Sequence, residues 1–186
     1  MRIISGLLKG KKIYFLSNSI TRPLKDSVRE NIFNILKHSK IINLRVENSN
    51  VLDLYSGVGS FGIECLSRGA KKVIFVEKDI QASNMLINNL NHLSILNKAK
   101  IINNKIENIL ETLNDIKFQI FFLDPPFADE LFLNNLQILK KRKSYEKEHI
   151  VIIHRERKSK DDLKRFLNII EIKEYGRSKI IFGSFN

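Results

Sequence analysis

Two stretches of the chain carry residues whose types and spacing could do chemistry. SGVGSFG, residues 56–62, follows the apolar run VLDLY, and DPPF, residues 124–127, follows QIFFL. In the first, Gly57, Gly59 and Gly62 satisfy the spacing of a dinucleotide fingerprint, and Glu77 comes 20 residues after Gly57 at the end of another apolar run. Glycines at these positions permit a tight turn and let backbone N–H groups approach a ligand, while the acidic residue accepts hydrogen bonds from ribose hydroxyls. Asp53, four positions before Gly57, separates the adenosine ligands from one another. Its carboxylate opposes a pyrophosphate, which needs positive potential, and favours a ligand bearing an ammonium and a sulfonium. The loop therefore points to S-adenosylmethionine (AdoMet) rather than to a nicotinamide dinucleotide. After the run AKIIN, Asn103 and Asn104 stand where an adenine edge could be hydrogen-bonded, and equally where a helix could begin.

In the second stretch, two prolines fix φ at Pro125 and Pro126 and push Asp124 and Pro125 into extended geometry. With no proline N–H present, the Asp124 carboxylate and the Pro125 carbonyl are adjacent acceptors, and Phe127 adds a flat ring beside them. Such a bracket suits an exocyclic amine on a stacked nucleobase. The lone pair of that amine is delocalised into the ring, so the amine is a poor nucleophile. Two acceptors holding its hydrogens favour a pyramidal nitrogen and stabilise the positive charge that develops on it, with no strong base required. This reading requires the glycine loop and Asp124 to open onto one pocket, with Asp124 not neutralised by an internal partner. Other candidates fall away: His38, His92, His149 and His154 lack metal-ligand spacing, and His149 and His154 read as surface or capping residues flanking a strand. Cys65 reads as a small core residue, and no Walker lysine follows the glycines.

The elements that must position these residues follow from periodicity. Apolar strands are expected at VLDLY, KVIFVE, AKIIN, QIFFLD, HIVIIH, IIEIKEYG and SKIIFGSF. Helices are expected from about Ser60 to Arg68, through Ala82 to Leu93, Ile106 to Leu113 and Phe132 to Leu139, near Asp161 to Phe166, and up to His38 from a start near Pro23. Continuously apolar strands alternating with helices mean a mostly parallel sheet covered on both faces, whose ligands bind at the carboxyl ends of the strands. The tight pair at the end must include an antiparallel strand. The opening RIISGLLKGKKIYF reads as a hairpin-like basic arm outside the core.

Composition bounds the partners. With 32 Lys+Arg against 20 Asp+Glu the net charge is +12, and residues 1–45 hold ten basic side chains against two acidic ones. A further cluster, KKRK, occupies 140–143. That concentration points to a polyanion, nucleic acid above all. The 186 residues, 43% hydrophobic, suit one domain, and the lone cysteine excludes an internal disulfide. The apolar runs are too short to span a bilayer and no signal-peptide pattern opens the chain, so a soluble protein of the reducing cytosol is expected.

At this point RIISG, KGKKI, TRPLKDSVRENIFNIL, VLDLYSGVGSFGIECLSRGA, VEKD, DPPF and EYGRSKIIF together resemble the bacterial RsmD-type methyltransferases of small-subunit ribosomal RNA, nearly end to end. The resemblance implies a Rossmann-like class I methyltransferase fold: a mostly parallel seven-stranded sheet, a C-terminal antiparallel hairpin and a short N-terminal basic β-hairpin arm. It implies residues 1–45 as arm and helix packed on a methyltransferase domain of residues 46–186. It implies AdoMet as donor, bound by Asp53, Tyr55, Gly57, Gly59, Glu77, Asn104 and Asp124, and N2 of one guanine in 16S-type rRNA as acceptor, held by Asp124, Pro125 and Phe127. Arg2, Lys9, Lys11, Lys12, Arg22 and Arg29 are the expected RNA contacts, with Arg22 and Arg29 also candidates for the methionine end of the donor. The expected setting is a cytoplasmic monomer acting on an assembling 30S-type particle without a metal. Leu24 and Val58 depart from the family, which usually has threonine and a small hydroxyl residue there. Two other functions fit the same residues: an adenine-N6 methyltransferase of DNA or RNA, because DPPF can hold that amine too, and a noncatalytic RNA-binding assembly factor.

Overall fold

The structure is a computed structural model that describes residues 1–16, 24–42, 44–110, 113 and 116–186. Seven strands form one sheet: β1 (Asn50–Leu54), β2 (Lys72–Glu77), β3 (Ala99–Asn103), β4 (Phe118–Leu123), β5 (Tyr145–Glu156), β6 (Leu167–Tyr175) and β7 (Ser178–Phe185). Their order is β3-β2-β1-β4-β5-β7-β6, parallel from β3 through β5, with β7 antiparallel to both its neighbours. The helices are α1 (Asp26–His38), α2 (Ser60–Ser67), α3 (Ile80–His92), α4 (Ile106–Ile109) and α5 (Phe132–Arg142).

The central strands are continuously apolar because both of their faces are covered, and their period-two alternation divides the core in two. Val51, Val73, Phe75, Ile120, Phe122, Ile150 and Ile152 pack under α1, α2 and α3. Leu52, Leu54, Ile74, Val76, Phe121, Leu123, Val151 and Ile153 pack under α4 and α5. On the first face a run of stacked rings, Phe33 on Phe61 at 5.2 Å and Phe61 on Phe122 at 4.0 Å, joins α1 through α2 to the sheet. Strand order reverses between β1 and β4, so the carboxyl ends of these neighbours flank the cleft where such sheets bind ligands.

The opening arm is hairpin-like, closed by one antiparallel bridge between Arg2 and Lys12, and it corrects the expectation that it lies outside the core. Ile3 and Ile13 are fully buried in the first cluster. The arm is strapped to α2: Glu64 accepts the Ile4 and Ser5 N–H groups at 2.8 and 2.9 Å, and the Ser67 carbonyl accepts the Leu7 N–H at 2.8 Å. Gly6, at φ +85°, makes this approach, since a Cβ there would stand 1.9 Å from the Ser67 carbonyl oxygen. Arg2 and the lysines of the arm face solvent, together with Leu7, Tyr14 and Phe15.

Two further elements differ from expectation. Between Asp161 and Phe166 a single 3₁₀ turn, Leu163–Arg165, replaces a helix. The Asp161 carboxylate is engaged by the Arg155 guanidinium at 3.0 and 3.1 Å, which leaves too few free residues before β6 to form a helix. β5 also begins at Tyr145, four residues earlier than the apolar run, because Phe118 at the start of β4 gives Tyr145 a partner.

Candidate active site

Asp53 is on β1, in register with Phe75 on one side and Phe122 on the other, and points with Val51 toward α2. It is 1% exposed. Its Oδ2 accepts the Gly62 N–H at 2.9 Å in the first turn of α2, while its Oδ1 is buried without a partner. Burial raises its pKa well above the ordinary carboxylate value despite the Gly62 hydrogen bond, and the charges of Asp124 and Glu77 push in the same direction. Leu54 pairs with Val76 on one side and Leu123 on the other, so Asp53, Glu77 and Asp124 lie at the carboxyl ends of three adjacent strands, on the same rim as the glycine loop.

The loop between β1 and α2 is closed by Glu77 at the end of β2, whose Oε2 accepts the Gly57 N–H at 2.7 Å and whose Oε1 accepts the Asp79 N–H at 2.8 Å. Gly59 is left-handed at φ +86°, and a Cβ there would lie 2.3 Å from Leu86 Cδ1 on α3, so the loop can be this tight only with glycine. Asn89 of α3, fully buried, holds the Val58 carbonyl at 3.2 Å and also pairs with both the N–H and the carbonyl of Tyr14. The backbone of Val58 is thus fixed by a partner that its own side chain does not reveal.

Tyr55 takes the left-handed conformation at φ +60° as the chain leaves β1. Its hydroxyl accepts from Asn135 Nδ2 at 3.1 Å. Burial, then the Asp129 carboxylate, raises the phenol above its ordinary value. Asn104, by contrast, spends its side-chain oxygen on the Lys105 N–H and Asn108 Nδ2, beside α4, whose N-cap Lys105 has no side-chain cap.

Asp124 continues β4 past Leu123, and its N–H reaches the Leu54 carbonyl of β1 at 3.4 Å. Asp124 has one internal partner, a single contact on one oxygen: His154 Nδ1 lies 2.7 Å from Asp124 Oδ1. Phe122 pairs with Ile152, and two residues further along each strand the same parity sets Asp124 beside His154. Among the described residues nothing bonds Asp124 Oδ2 or the Pro125 carbonyl. The rest of the turn is clamped by Arg155, 2% exposed, which donates to the Pro126 and Phe127 carbonyls at 3.1 Å each while stacking 4.4 Å over Phe132. Asp129 adds its own N–H to the Pro126 carbonyl at 2.8 Å. Phe127 is left 47% exposed. Arg155 is the residue that sequence reading missed, and His154, expected as a surface or capping residue, is instead largely buried against Asp124; the available signal was a His-Arg pair closing the strand beside β4.

Of the expected RNA contacts, Arg2, Lys9, Lys11 and Lys12 are exposed. Arg29 is not. It is fully buried in α1, where it hydrogen-bonds Asp26 and the Arg2 carbonyl beside Glu64, so it has no surface to offer RNA and no route to a donor. Arg22 lies outside the described residues. Of the 140–143 cluster, Lys140 is spent on the Arg165 carbonyl and Asn186, and α5 delivers the cluster to the amino end of β5, away from the cleft. Among the described residues no helix is long and apolar enough to cross a membrane.

The sheet order, the glycine loop behind β1 and the Asp-Pro-Pro-Phe turn behind β4 define a class I methyltransferase fold. The structure described as "Putative methyltransferase yhhF from Escherichia coli" shares it with a TM-score of 0.84 at 26% identity, over 100% of this chain and 97% of that one. The sequence matches the family described as "Conserved hypothetical protein 95" over residues 1–184. It is 37% identical over 141 residues to ribosomal RNA small subunit methyltransferase D of Haemophilus influenzae, spanning 75% of this chain and 70% of that protein. It is 34% identical over 156 residues to the protein of the same name from Buchnera aphidicola, spanning 84% and 78%. The chain belongs to this RsmD-type methyltransferase family.

Proposed function

We propose that this protein methylates N2 of one guanine in small-subunit rRNA, with AdoMet as donor, as a cytoplasmic monomer working on an assembling particle. The observation that carries the reading is the juxtaposition of a buried, half-satisfied Asp53 with a rigid Asp124 bracket on one rim. The Asp53 Oδ1 orphan, in a site of three carboxylates, fits the cationic amino-acid end of AdoMet. Gly57, Gly59 and Tyr55 would border the donor, and Glu77, having closed the loop, keeps lone pairs for ribose hydroxyls. Bound AdoMet supplies an electrophilic methyl group.

The chain's own residues then act on the acceptor. Asp124 Oδ2 and the Pro125 carbonyl accept the two hydrogens of the guanine amine, hold it toward the glycine loop and stabilise the charge that develops on nitrogen. The exposed Phe127 ring stacks the base, an interaction worth about 1–3 kcal/mol on comparable platforms. Residues 1–45 contribute the RNA-facing side through Arg2, Lys9, Lys11 and Lys12, and residues 46–186 carry out the transfer. The relatives named as small-subunit rRNA methyltransferases support the choice of substrate. Mass spectrometry of rRNA from cells lacking the gene tests it. The expected result is the loss of one N2-methylguanosine from small-subunit rRNA, and an unchanged modification profile would overturn the proposal.

A further inference from the structure

We propose that His154 is a positioning residue for the methyl-accepting amine: its Nδ1–H saturates one oxygen of Asp124 and so commits the other to the substrate. The inference rests on the reading of Asp124 as the amine holder and adds a residue that reading does not contain.

The backbone at Asp124 is fixed by the two prolines and by the Asp124 N–H on the Leu54 carbonyl. The carboxylate itself is not, because the terminal torsion of an aspartate is broad and nearly free. Among the described residues His154 is the side chain that hydrogen-bonds this carboxylate, at 2.7 Å, and it contacts Oδ1 alone. The imidazole is itself held: its backbone pairs with Ile180 of β7, its side chain is 14% exposed, and the Phe127 ring meets it edge-on at 5.9 Å. A fixed donor on a fixed backbone removes the last rotational freedom of the acceptor. It leaves Asp124 Oδ2 and the Pro125 carbonyl as a preset pair for two amine hydrogens.

Holding the turn in place does not require His154. Arg155 binds the Pro126 and Phe127 carbonyls, and Asp129 binds Pro126 again through its N–H. Three contacts secure the backbone, and the histidine acts on the one group that would meet the substrate. Imidazole suits the task better than a basic side chain does. A neutral imidazole donates one directional N–H and leaves the negative charge of the carboxylate in place, whereas an ammonium or guanidinium would compete with the amine for it.

The test compares His154→Leu, His154→Asn and His154→Gln, with Asp124→Ala alongside, in methyl transfer to undermethylated small subunits and in AdoMet and rRNA binding. His154→Leu is expected to lower kcat about 10- to 100-fold, the loss typical of a misplaced reacting group, with both affinities changed less than about threefold. His154→Asn, whose amide N–H falls at the place of Nδ1, is expected to recover most of that loss, while His154→Gln, which reaches the Nε2 position, does not. Long-range ¹H–¹⁵N spectra of the ligand-free protein should show His154 with a proton on Nδ1, a readout independent of turnover. Full kcat in His154→Leu, equal losses in the Asn and Gln variants, or an unprotonated Nδ1 would each overturn the inference. If Asp124→Ala is inactive and His154→Leu is not, this inference alone fails; if Asp124→Ala keeps full turnover, the bracket reading fails and takes this one with it.

Discussion

Asp53 combines two properties that a folded protein rarely tolerates together, full burial and an unpartnered carboxylate oxygen. Its pKa in the folded state lies above the unfolded value, so the folded chain binds the proton more tightly than the unfolded chain does. Stability linked to this group is therefore greatest below the unfolded value of 3.8 and declines as pH rises through the window up to the raised folded value. Asp53→Asn removes that pH-dependent cost. The ligand-free variant is expected to melt about 2–8 °C above the parent at neutral pH, the equivalent of ~1–2 kcal/mol in a chain of this size, with a smaller gap near pH 4. The same variant should lose AdoMet affinity by at least about tenfold. Melting scans at the two pH values and calorimetric titration check both halves, and a variant less stable than the parent at neutral pH would contradict the account of Asp53. A site that becomes more stable when its function is removed is the usual mark of a binding residue held at the expense of stability.

At the scale of elements, the arm and α2 are joined through Glu64, which is fully buried and accepts two arm N–H groups as well as Arg68 Nε at 2.8 Å, with Arg29 Nε 3.8 Å away. Removing one member of such a buried charge network strands the others. Glu64→Ala is expected to cost about 3–5 kcal/mol, a fall in Tm of roughly 6–20 °C, and to expose the arm to protease first. Lys9→Ala on the same arm should change Tm by less than about 2 °C, and comparable losses in both variants would remove Glu64 from its role as the strap. What could be read from the sequence follows from the same physics. β1, β2 and β4 were legible because strands buried on both faces are apolar at every position, and glycines with an acidic residue 20 positions on mark a turn whose backbone must approach a ligand. The burial of Ile3, Ile13 and Arg29 was not legible, since a basic sequence with isolated apolar residues reads the same whether those residues point inward or outward. The contact between His154 and Asp124 spans 30 residues and depends on the parity of two strands whose adjacency emerges only from sheet order. The turn after β5 misled for a related reason: Asp161 is engaged by Arg155, a tertiary contact that overrides local helix preference.

For the whole molecule, the chain concentrates its positive charge at the end of the sequence that packs beside the glycine loop. Asn89 carries the arm at Tyr14 and the loop at Val58 on one side chain, so the proposed RNA-facing surface and the proposed donor site share a support. If Lys9, Lys11 and Lys12 meet phosphates, the logarithm of RNA affinity should fall with the logarithm of salt by about 0.7–0.9 per phosphate contacted. Reversing those three charges should flatten that slope by roughly two to three units, as read by filter binding across a salt series, and an unchanged slope would place RNA elsewhere. The central claim is narrower: Asp53 and Asp124, from strands whose registers meet at Leu54 and Leu123, serve donor and acceptor in one pocket. Its most direct test is single-turnover methyl transfer by Asp124→Ala set beside AdoMet affinity measured on the same preparation. Turnover is expected to fall at least about 100-fold with the dissociation constant for AdoMet within about threefold of the parent. Equal losses in both, or turnover preserved, would contradict it.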